Sequence, residues 1–114
     1  MSIEAKAARI RLLLFDVDGV LTDGRVVVHA DGTESKAFGI RDGIAIVWAQ
    51  RAGLQVGFLS ARTSATTPHR AAQLGVTIVH QGMPKKLEGY ERIVADARVA
   101  GVVHLHDLWR TQMF

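Results

Sequence analysis

Residues 12–24 have the sequence LLLFDVDGVLTDG, in which a short apolar run ends in closely spaced acids. Continuous apolarity over residues 11–17 is typical of a strand that is buried on both faces, as in a parallel sheet. Asp16 and Asp18 follow this strand, and one intervening residue allows both carboxylates to face the same space. Such acids can simply cap a loop or a helix. As a pair at the end of a strand, one carboxylate can also attack as a nucleophile while the other exchanges protons. The stretch therefore predicts a parallel-sheet protein with an acidic site after its first strand.

The rest of the chain alternates short apolar runs with segments of helical periodicity. The short runs predict a β-hairpin and three further strands, at residues 25–37, 54–59, 76–79 and 102–105. The periodic segments predict helices at residues 42–52, 67–75 and 84–98. Alternation of this kind implies an α/β fold with parallel strands and right-handed crossovers. Ligands of such folds bind outside the carboxyl ends of the strands.

Local signals also predict helix ends and buried faces. Gly53 is expected to end the first helix, whereas Thr67 is expected to cap the second, with Pro68 at its first position and Gly75 as its stop. The apolar stripes expected to face the core are Ile44, Val47 and Trp48 on the first helix, and Leu87, Tyr90, Val94 and Ala97 on the third.

Composition excludes several classes of protein. The 114 residues suit a single domain, and a hydrophobic share of 48% supplies a core, which disordered chains lack. Without cysteine, a disulfide, a thiolate zinc site and a cysteine nucleophile are all excluded. No apolar run reaches the length of a membrane span, and the first residues lack the layout of a secretory signal. We therefore expect a cytoplasmic protein with no membrane partner.

The charge balance is mildly basic. Lysine and arginine number 14 against 11 acids, which gives a net charge of +3. The bases are spread along the chain and form no compact block, so no nucleic-acid partner is expected. A weak positive field suits a small anionic substrate.

The string DVDGVLTDGR at residues 16–25 resembles motif I of the haloacid dehalogenase superfamily of aspartate-nucleophile phosphatases. Together with the hairpin and ESKAFGIRDG at residues 34–43, it resembles the 3-deoxy-D-manno-octulosonate 8-phosphate phosphatase family. Sugar-phosphate phosphatases linked to sialic acid synthesis share this pattern. The resemblance covers about residues 11–95. It implies a Rossmann-like haloacid dehalogenase core with a parallel sheet, a protruding hairpin and no inserted cap domain.

The resemblance also implies catalytic roles. Asp16 would be the nucleophile that becomes an aspartyl-phosphate, and Asp18 would be the general acid and base. Both would help to bind Mg²⁺, Asp18 through its backbone carbonyl. Ser60 would hydrogen-bond the phosphoryl group, although a serine at the end of a strand can also be ordinary. Lys86 would neutralise phosphate charge. Its neighbour Lys85 would take this role if the alignment with the family shifts by one residue.

Four further residues are implied to bind substrate, namely Thr22, Arg41, Asp42 and Arg62. Asp42 can act as a helix cap at the same time, and Arg62 can bind a carboxylate or a phosphate as a fork. Ala61 departs from the family, which usually has glycine there, and its methyl group can shift the backbone beside the phosphate.

The end of the chain departs further from the family. Relatives have a Gly-Asp-Asp motif whose acids complete the Mg²⁺ site, whereas this chain has none. One alignment gives Asp107 the second acid position, as a third metal residue, and His106 the first. Histidine is a poor ligand for Mg²⁺, and His104 with His106 forms an alternative metal-ligand pair on a strand. The single domain over residues 1–114 is thus expected to be truncated or divergent after about residue 98.

Three functional hypotheses follow. The first is a Mg²⁺-dependent phosphatase of lipopolysaccharide biosynthesis, acting on a sugar-acid phosphate such as 3-deoxy-D-manno-octulosonate 8-phosphate. The second is an impaired relative that serves as a binding or oligomerising module. A receiver domain is the third, but a helix would then follow the first acids. The resemblance implies a homotetramer, and three consecutive valines at residues 26–28 cannot all be buried in one small domain.

Overall fold

The computed structural model describes residues 2–82, 85–97 and 101–105. The elements in this part of the chain are, in order, α1 (Ile3–Ala8), β1 (Leu12–Phe15), β2 (Val27–Val28), β3 (Glu34–Ser35), α2 (Ile40–Arg51), β4 (Gln55–Leu59), α3 (Thr66–Leu74), β5 (Ile78–His80), α4 (Lys86–Ala97) and β6 (Val102–Leu105). Four strands form a parallel sheet in the order β5-β4-β1-β6, and β2 pairs with β3 in a separate antiparallel hairpin. The α/β class and the parallel sheet are as predicted.

Strand β1 lies inside the sheet, between β4 and β6. Leu12 and Leu14 are fully buried in a cluster that includes Ile93 of α4. Leu13 and Phe15 pack against a second cluster, to which α2 and α3 contribute. Alternate residues of a strand point to opposite faces, so β1 is covered on both sides. This double burial is the reason for its continuous apolar sequence.

Helix α2 presents a different face to the core from the predicted one. Its buried residues are Gly43 and Ile46, whereas Ile44 is 44% exposed and Trp48 is 65% exposed. A Cβ atom at position 43 would lie 3.1 Å from Cδ2 of Leu74, so the glycine permits close packing of α2 on α3. The apolar stripe predicted for this helix is therefore correct only for Val47, which is partly buried, because a glycine, which carries no apolar signal, marks the packed side. The helix ends as predicted, since Gly53 follows it with φ of +98°.

Helix α3 begins two residues earlier than predicted. Ala65 is the N-cap, and Thr67 lies fully buried inside the first turn. The side-chain hydrogen bond to the start of the helix, expected from Thr67, comes from Ser64, whose Oγ accepts from the Thr66 amide at 3.4 Å. The predicted stop is confirmed, since Gly75 adopts the left-handed conformation that ends many helices.

The last helix and the last two strands form where they were predicted, with small differences in their bounds and in the buried face of the helix. Strand β5 begins at Ile78, and β6 spans the four residues predicted for it. In α4, Ile93 is 1% exposed and Leu87 is 51% exposed, so the predicted stripe is correct only for Tyr90 and Val94, which are partly buried. The side chain of Ala97 lies outside the described part.

The predicted hairpin forms between β1 and α2. Its turn closes through a hydrogen bond of 2.8 Å from the His29 amide to the Thr33 carbonyl, and Gly32 has φ of +88°. Asp31 accepts hydrogen bonds from the Thr33 hydroxyl and amide, and these lower the pKa of its carboxyl. The stretch between β1 and α2 is fully described, and it contains this hairpin with its flanking loops and no inserted domain.

Helix α1 was not predicted. Its first turn is capped by Ser2, whose Oγ accepts a hydrogen bond of 3.1 Å from the Ala5 amide. None of the helices within the described ranges combines the length and apolarity that crossing a bilayer requires.

Candidate active site

The two acids of the opening motif lie buried at the carboxyl end of β1. Asp16 is 1% exposed and Asp18 is 6% exposed. The Asp16 amide donates a hydrogen bond of 2.8 Å to the Leu105 carbonyl of β6, which extends the strand pairing by one residue. Its Oδ1 accepts a hydrogen bond of 2.9 Å from the Val17 amide. The sheet thus fixes the backbone of Asp16, and burial holds both carboxylates out of bulk water.

A tight turn follows these acids. The Val17 carbonyl accepts hydrogen bonds from the amides of Leu21 and Thr22, at 2.9 and 3.2 Å. The Thr22 Oγ1 in turn accepts from the amides of Gly19 and Gly24, at 3.3 and 3.1 Å. Thr22, predicted to bind substrate, therefore stabilises the loop that carries Asp18.

Ser60 follows β4 at the same edge of the sheet. It is 2% exposed, and its amide donates a hydrogen bond of 2.9 Å to the His80 carbonyl of β5. Strand β4 pairs in parallel with β1, with Phe58 opposite Phe15. The structure therefore brings Ser60 and Asp16 to neighbouring strand ends, as the sequence predicted.

Arg62 contacts the hairpin. Its Nη2 lies 2.8 Å from Oε1 of Glu34, in an ion pair whose side chains are 40% and 23% exposed. The Arg62 Nη1 is buried without a hydrogen-bond partner in the described part of the chain, as is the Glu34 Oε2. The guanidinium thus keeps one donor for a further acceptor, which suits its predicted role in binding an anion.

Lys36 is a site residue that the sequence analysis did not identify. Its Nζ lies 2.8 Å from Oδ1 of Asp18, and its side chain is only 1% exposed. The contact is close enough for an ion pair, but its angles are not those of a hydrogen bond. The lysine belongs to the string ESKAF, which supports the resemblance to the phosphatase family, but the sequence analysis assigned it no role.

Two further residues predicted to bind substrate lie on helix α2. Arg41 and Asp42 are exposed in the first turn of α2, and Asp42 lines an open groove of about 420 Å³ together with Thr22 and Phe38. An added Cβ at Gly39 would lie 2.8 Å from Oδ2 of Asp42, so this carboxylate lies over the start of the helix. A negative charge is favourable at that end of a helix.

Three predictions concern side chains that the structure does not describe. Lys86 begins α4, but its side chain is outside the described part, as is that of His104 on β6. His106 and Asp107 lie beyond the last described residue. Among the residues described, no group of three or more histidine and acidic side chains is placed to hold a metal ion.

No protein-family model matches the sequence. The 3-deoxy-D-manno-octulosonate 8-phosphate phosphatase KdsC of Escherichia coli is 38% identical over 98 residues, which are 86% of this chain and 52% of that protein. The chain thus spans about half the length of the curated relatives that it matches.

Solved structures share the fold. A putative haloacid dehalogenase (HAD) superfamily hydrolase, subfamily III A, from Legionella pneumophila has a TM-score of 0.89 and 30% identity over 96% of this chain and 62% of its own. The 3-deoxy-D-manno-octulosonate 8-phosphate phosphatase from Moraxella catarrhalis, in complex with a magnesium ion, a phosphate ion and a KDO molecule, has a TM-score of 0.83 and 30% identity. That match covers 88% of this chain and 59% of the Moraxella chain. The motif after β1, the strand order and these similarities together show that the chain belongs to the haloacid dehalogenase superfamily, as a homologue of the 3-deoxy-D-manno-octulosonate 8-phosphate phosphatases.

Proposed function

We propose that this chain carries the catalytic centre of a Mg²⁺-dependent phosphatase that hydrolyses a sugar-acid phosphate, such as 3-deoxy-D-manno-octulosonate 8-phosphate. The observation that carries the proposal is the buried pair Asp16 and Asp18 at the end of the central strand. The names of the relatives and the KDO molecule in the Moraxella enzyme support the class of substrate.

The mechanism divides the reaction between the two acids. An oxygen of Asp16 attacks phosphorus, the bond from phosphorus to the sugar oxygen breaks, and Asp18 gives a proton to the leaving oxygen. Water then attacks the aspartyl-phosphate, Asp18 takes a proton from it, and phosphate leaves with Asp16 restored. The Ser60 hydroxyl and the Lys86 ammonium would stabilise the charge on the transferred group.

The acids also suit a hard metal ion. Mg²⁺ prefers oxygen ligands, and it usually keeps several waters, so one or two carboxylates suffice to bind it. Asp16, which is 1% exposed at the end of β1, would hold it through its carboxylate, and Asp18 would hold it through its backbone carbonyl, so that the Asp18 carboxylate stays available for proton transfer. When bound, the ion would neutralise phosphate charge. A contribution from Asp107 remains a prediction.

The carboxylate of a sugar-acid phosphate also needs a cation to bind it. Arg62 lies two residues after Ser60 and has a buried Nη1 without a partner in the described part. A guanidinium binds carboxylates and phosphates with two parallel hydrogen bonds. We therefore assign Arg62 to the acid group of the substrate, and the groove beside Thr22 and Asp42 to a more distant part of it.

The first prediction tests the nucleophile. Replacement of Asp16 by alanine removes the attacking oxygen, so the rate of Mg²⁺-dependent phosphate release should fall by about 10⁴-fold or more. The measurement is phosphate release from 3-deoxy-D-manno-octulosonate 8-phosphate, with and without added Mg²⁺.

A matched control is Asp96→Asn on α4, because Asp96 is an exposed acid outside the candidate site. This variant should retain wild-type activity. Turnover that survives Asp16→Ala would refute the mechanism. A wild-type chain without turnover or any Mg²⁺-dependent change would instead favour a binding or oligomerising module.

We further propose that the chain forms a homo-oligomer, with a tetramer as the expected state. Val27 and Val28 of the hairpin are 56% and 68% exposed. On α2, Ile40 is 77% exposed, and the exposed Trp48 lies on the same helix. Large apolar side chains clustered at the surface of a small domain are typical of an interface.

A further inference from the structure

We propose that Lys36 is a positioning residue for proton transfer, one that fixes which oxygen of Asp18 exchanges the proton. The inference rests on the proposed phosphatase function and extends it to a residue of the hairpin. Lys36 would hold Oδ1 of Asp18, so that Oδ2 faces the leaving group and, later, the attacking water.

The burial of Lys36 is the first observation. Its side chain is 1% exposed and that of Asp18 is 7% exposed. Lysine is almost never fully buried without a partner, because removing an ammonium group from water is costly. The hairpin therefore inserts a cation into the acidic site, where it faces the carboxylate at 2.8 Å.

The two oxygens of Asp18 differ in their surroundings, and this is the second observation. Both oxygens are buried and accept no hydrogen bond from the described residues, and Oδ1 is the one that lies 2.8 Å from the Lys36 ammonium. When Asp18 carries a proton, a cation beside Oδ1 favours the proton on Oδ2 by electrostatic repulsion. The ion pair thus makes the two oxygens unequal.

The position of Lys36 in the hairpin is the third observation. Glu34, two residues earlier, pairs with Arg62 in the loop after β4. Lys36 pairs with Asp18 in the loop after β1. One end of the hairpin thus contacts both site loops, and its placement determines the orientation of the Asp18 carboxylate.

The proton balance is simple. Oδ2 of Asp18 gives its proton to the leaving oxygen as that oxygen separates from phosphorus, and it takes one back from water as water attacks the aspartyl-phosphate. Lys36 remains an ammonium group in both steps and exchanges no proton. Its contribution is the orientation of the carboxylate, which proton transfer requires.

A series of substituted phenyl phosphates tests this role. A weakly basic leaving group such as p-nitrophenolate departs with little help from an acid, whereas phenolate needs the proton. In Lys36→Met, kcat/KM for phenyl phosphate should fall by about 10- to 100-fold, which is part of the roughly 10²- to 10⁴-fold that acid catalysis contributes, with a much smaller loss for p-nitrophenyl phosphate. The plot of log kcat/KM against the basicity of the leaving group should therefore become steeper.

Two further variants separate positioning from mere stability. Lys36→Arg keeps a cation and should restore part of the wild-type slope. Ser35→Ala removes the hydrogen bond of 2.9 Å to His29 within the hairpin and should leave the slope unchanged. An equal loss of kcat/KM across the whole series in Lys36→Met would overturn the inference.

The failure of the proposed function would give a different result. A wild-type chain that hydrolyses neither these esters nor 3-deoxy-D-manno-octulosonate 8-phosphate overturns that function. The ion pair is then tested by the melting temperatures of Lys36→Met, Asp18→Asn and the double variant. Shifts that add in the double variant would show that the two side chains do not interact and would also overturn the inference. A double variant that is more stable than the sum of the two single shifts predicts supports the pair.

Discussion

Individual side chains of the site are held by neighbours that the sequence did not assign to them. The Thr22 hydroxyl accepts two backbone hydrogen bonds, and Lys36 faces Asp18 from the hairpin. The acids could be predicted, because two carboxylates directly after an apolar strand form a local pattern. Lys36 could not, because its partner lies in another loop and a lysine in a polar string gives no sign of burial.

Gly57 in β4 provides a prediction at the scale of one residue. A Cβ atom there would lie 2.8 Å from Cγ2 of Ile78 and 3.0 Å from Cδ1 of Leu14. Both neighbours belong to the packed core, so they cannot move without cost. We expect Gly57→Ala to lower the free energy of unfolding by about 1–3 kcal/mol, the usual cost of overpacking, as measured by urea denaturation. An unchanged unfolding midpoint would show that the sheet has room at this point.

At the scale of elements, the strands of the sheet were easier to predict than the faces of the helices. A strand buried on both sides requires apolar residues throughout, as in β1, so its sequence alone reveals it. The buried side of α2 includes Gly43, whereas its most conspicuous apolar residue, Trp48, faces outward. Periodicity identifies an apolar stripe but does not show whether the stripe packs within the molecule or against another.

The hairpin turn gives a prediction about pH. The Thr33 hydroxyl lies 2.6 Å from Oδ1 of Asp31, and this hydrogen bond, followed by that of the Thr33 amide, lowers the pKa of the carboxyl. A lowered pKa in the folded state means that the ionised form stabilises the turn. This stabilisation is present above the ordinary pKa of aspartate and is lost as the pH falls through the lowered value.

Thr33→Val removes the hydroxyl donor and keeps the amide. The pKa of Asp31 should therefore rise towards its usual range, and an NMR titration of the carboxyl carbon measures it. As a control, Thr77→Val at an exposed threonine between α3 and β5 should leave the pKa of Asp31 at its wild-type value. A pKa of Asp31 that stays at its wild-type value would mean that the amide alone is responsible.

At the scale of the whole molecule, the apolar surface of α2 leads to a prediction about assembly. Trp48→Glu places a charge in a surface that we propose to be buried between subunits, and loss of such a central aromatic residue typically costs about 2 kcal/mol or more in binding. Sedimentation velocity should show the wild-type chain as an oligomer and the variant shifted towards a monomer, with the same far-UV circular dichroism.

A charge introduced elsewhere provides the control. Ala72 lies exposed on α3, and Ala72→Glu should leave the oligomer intact. If Trp48→Glu sediments like the wild-type chain, the α2 surface does not take part in assembly.

The hydrogen bond from the Asp16 amide to the Leu105 carbonyl has a consequence for synthesis of the protein. Residues from near the two ends of the described chain must meet before Asp16, the proposed nucleophile, is fixed in place. A growing chain on the ribosome therefore cannot complete this pairing until β6 has emerged, however early β1 and β4 are available. Contacts between distant parts of a sequence form slowly in folding, so the acidic pair should be among the last features to become ordered.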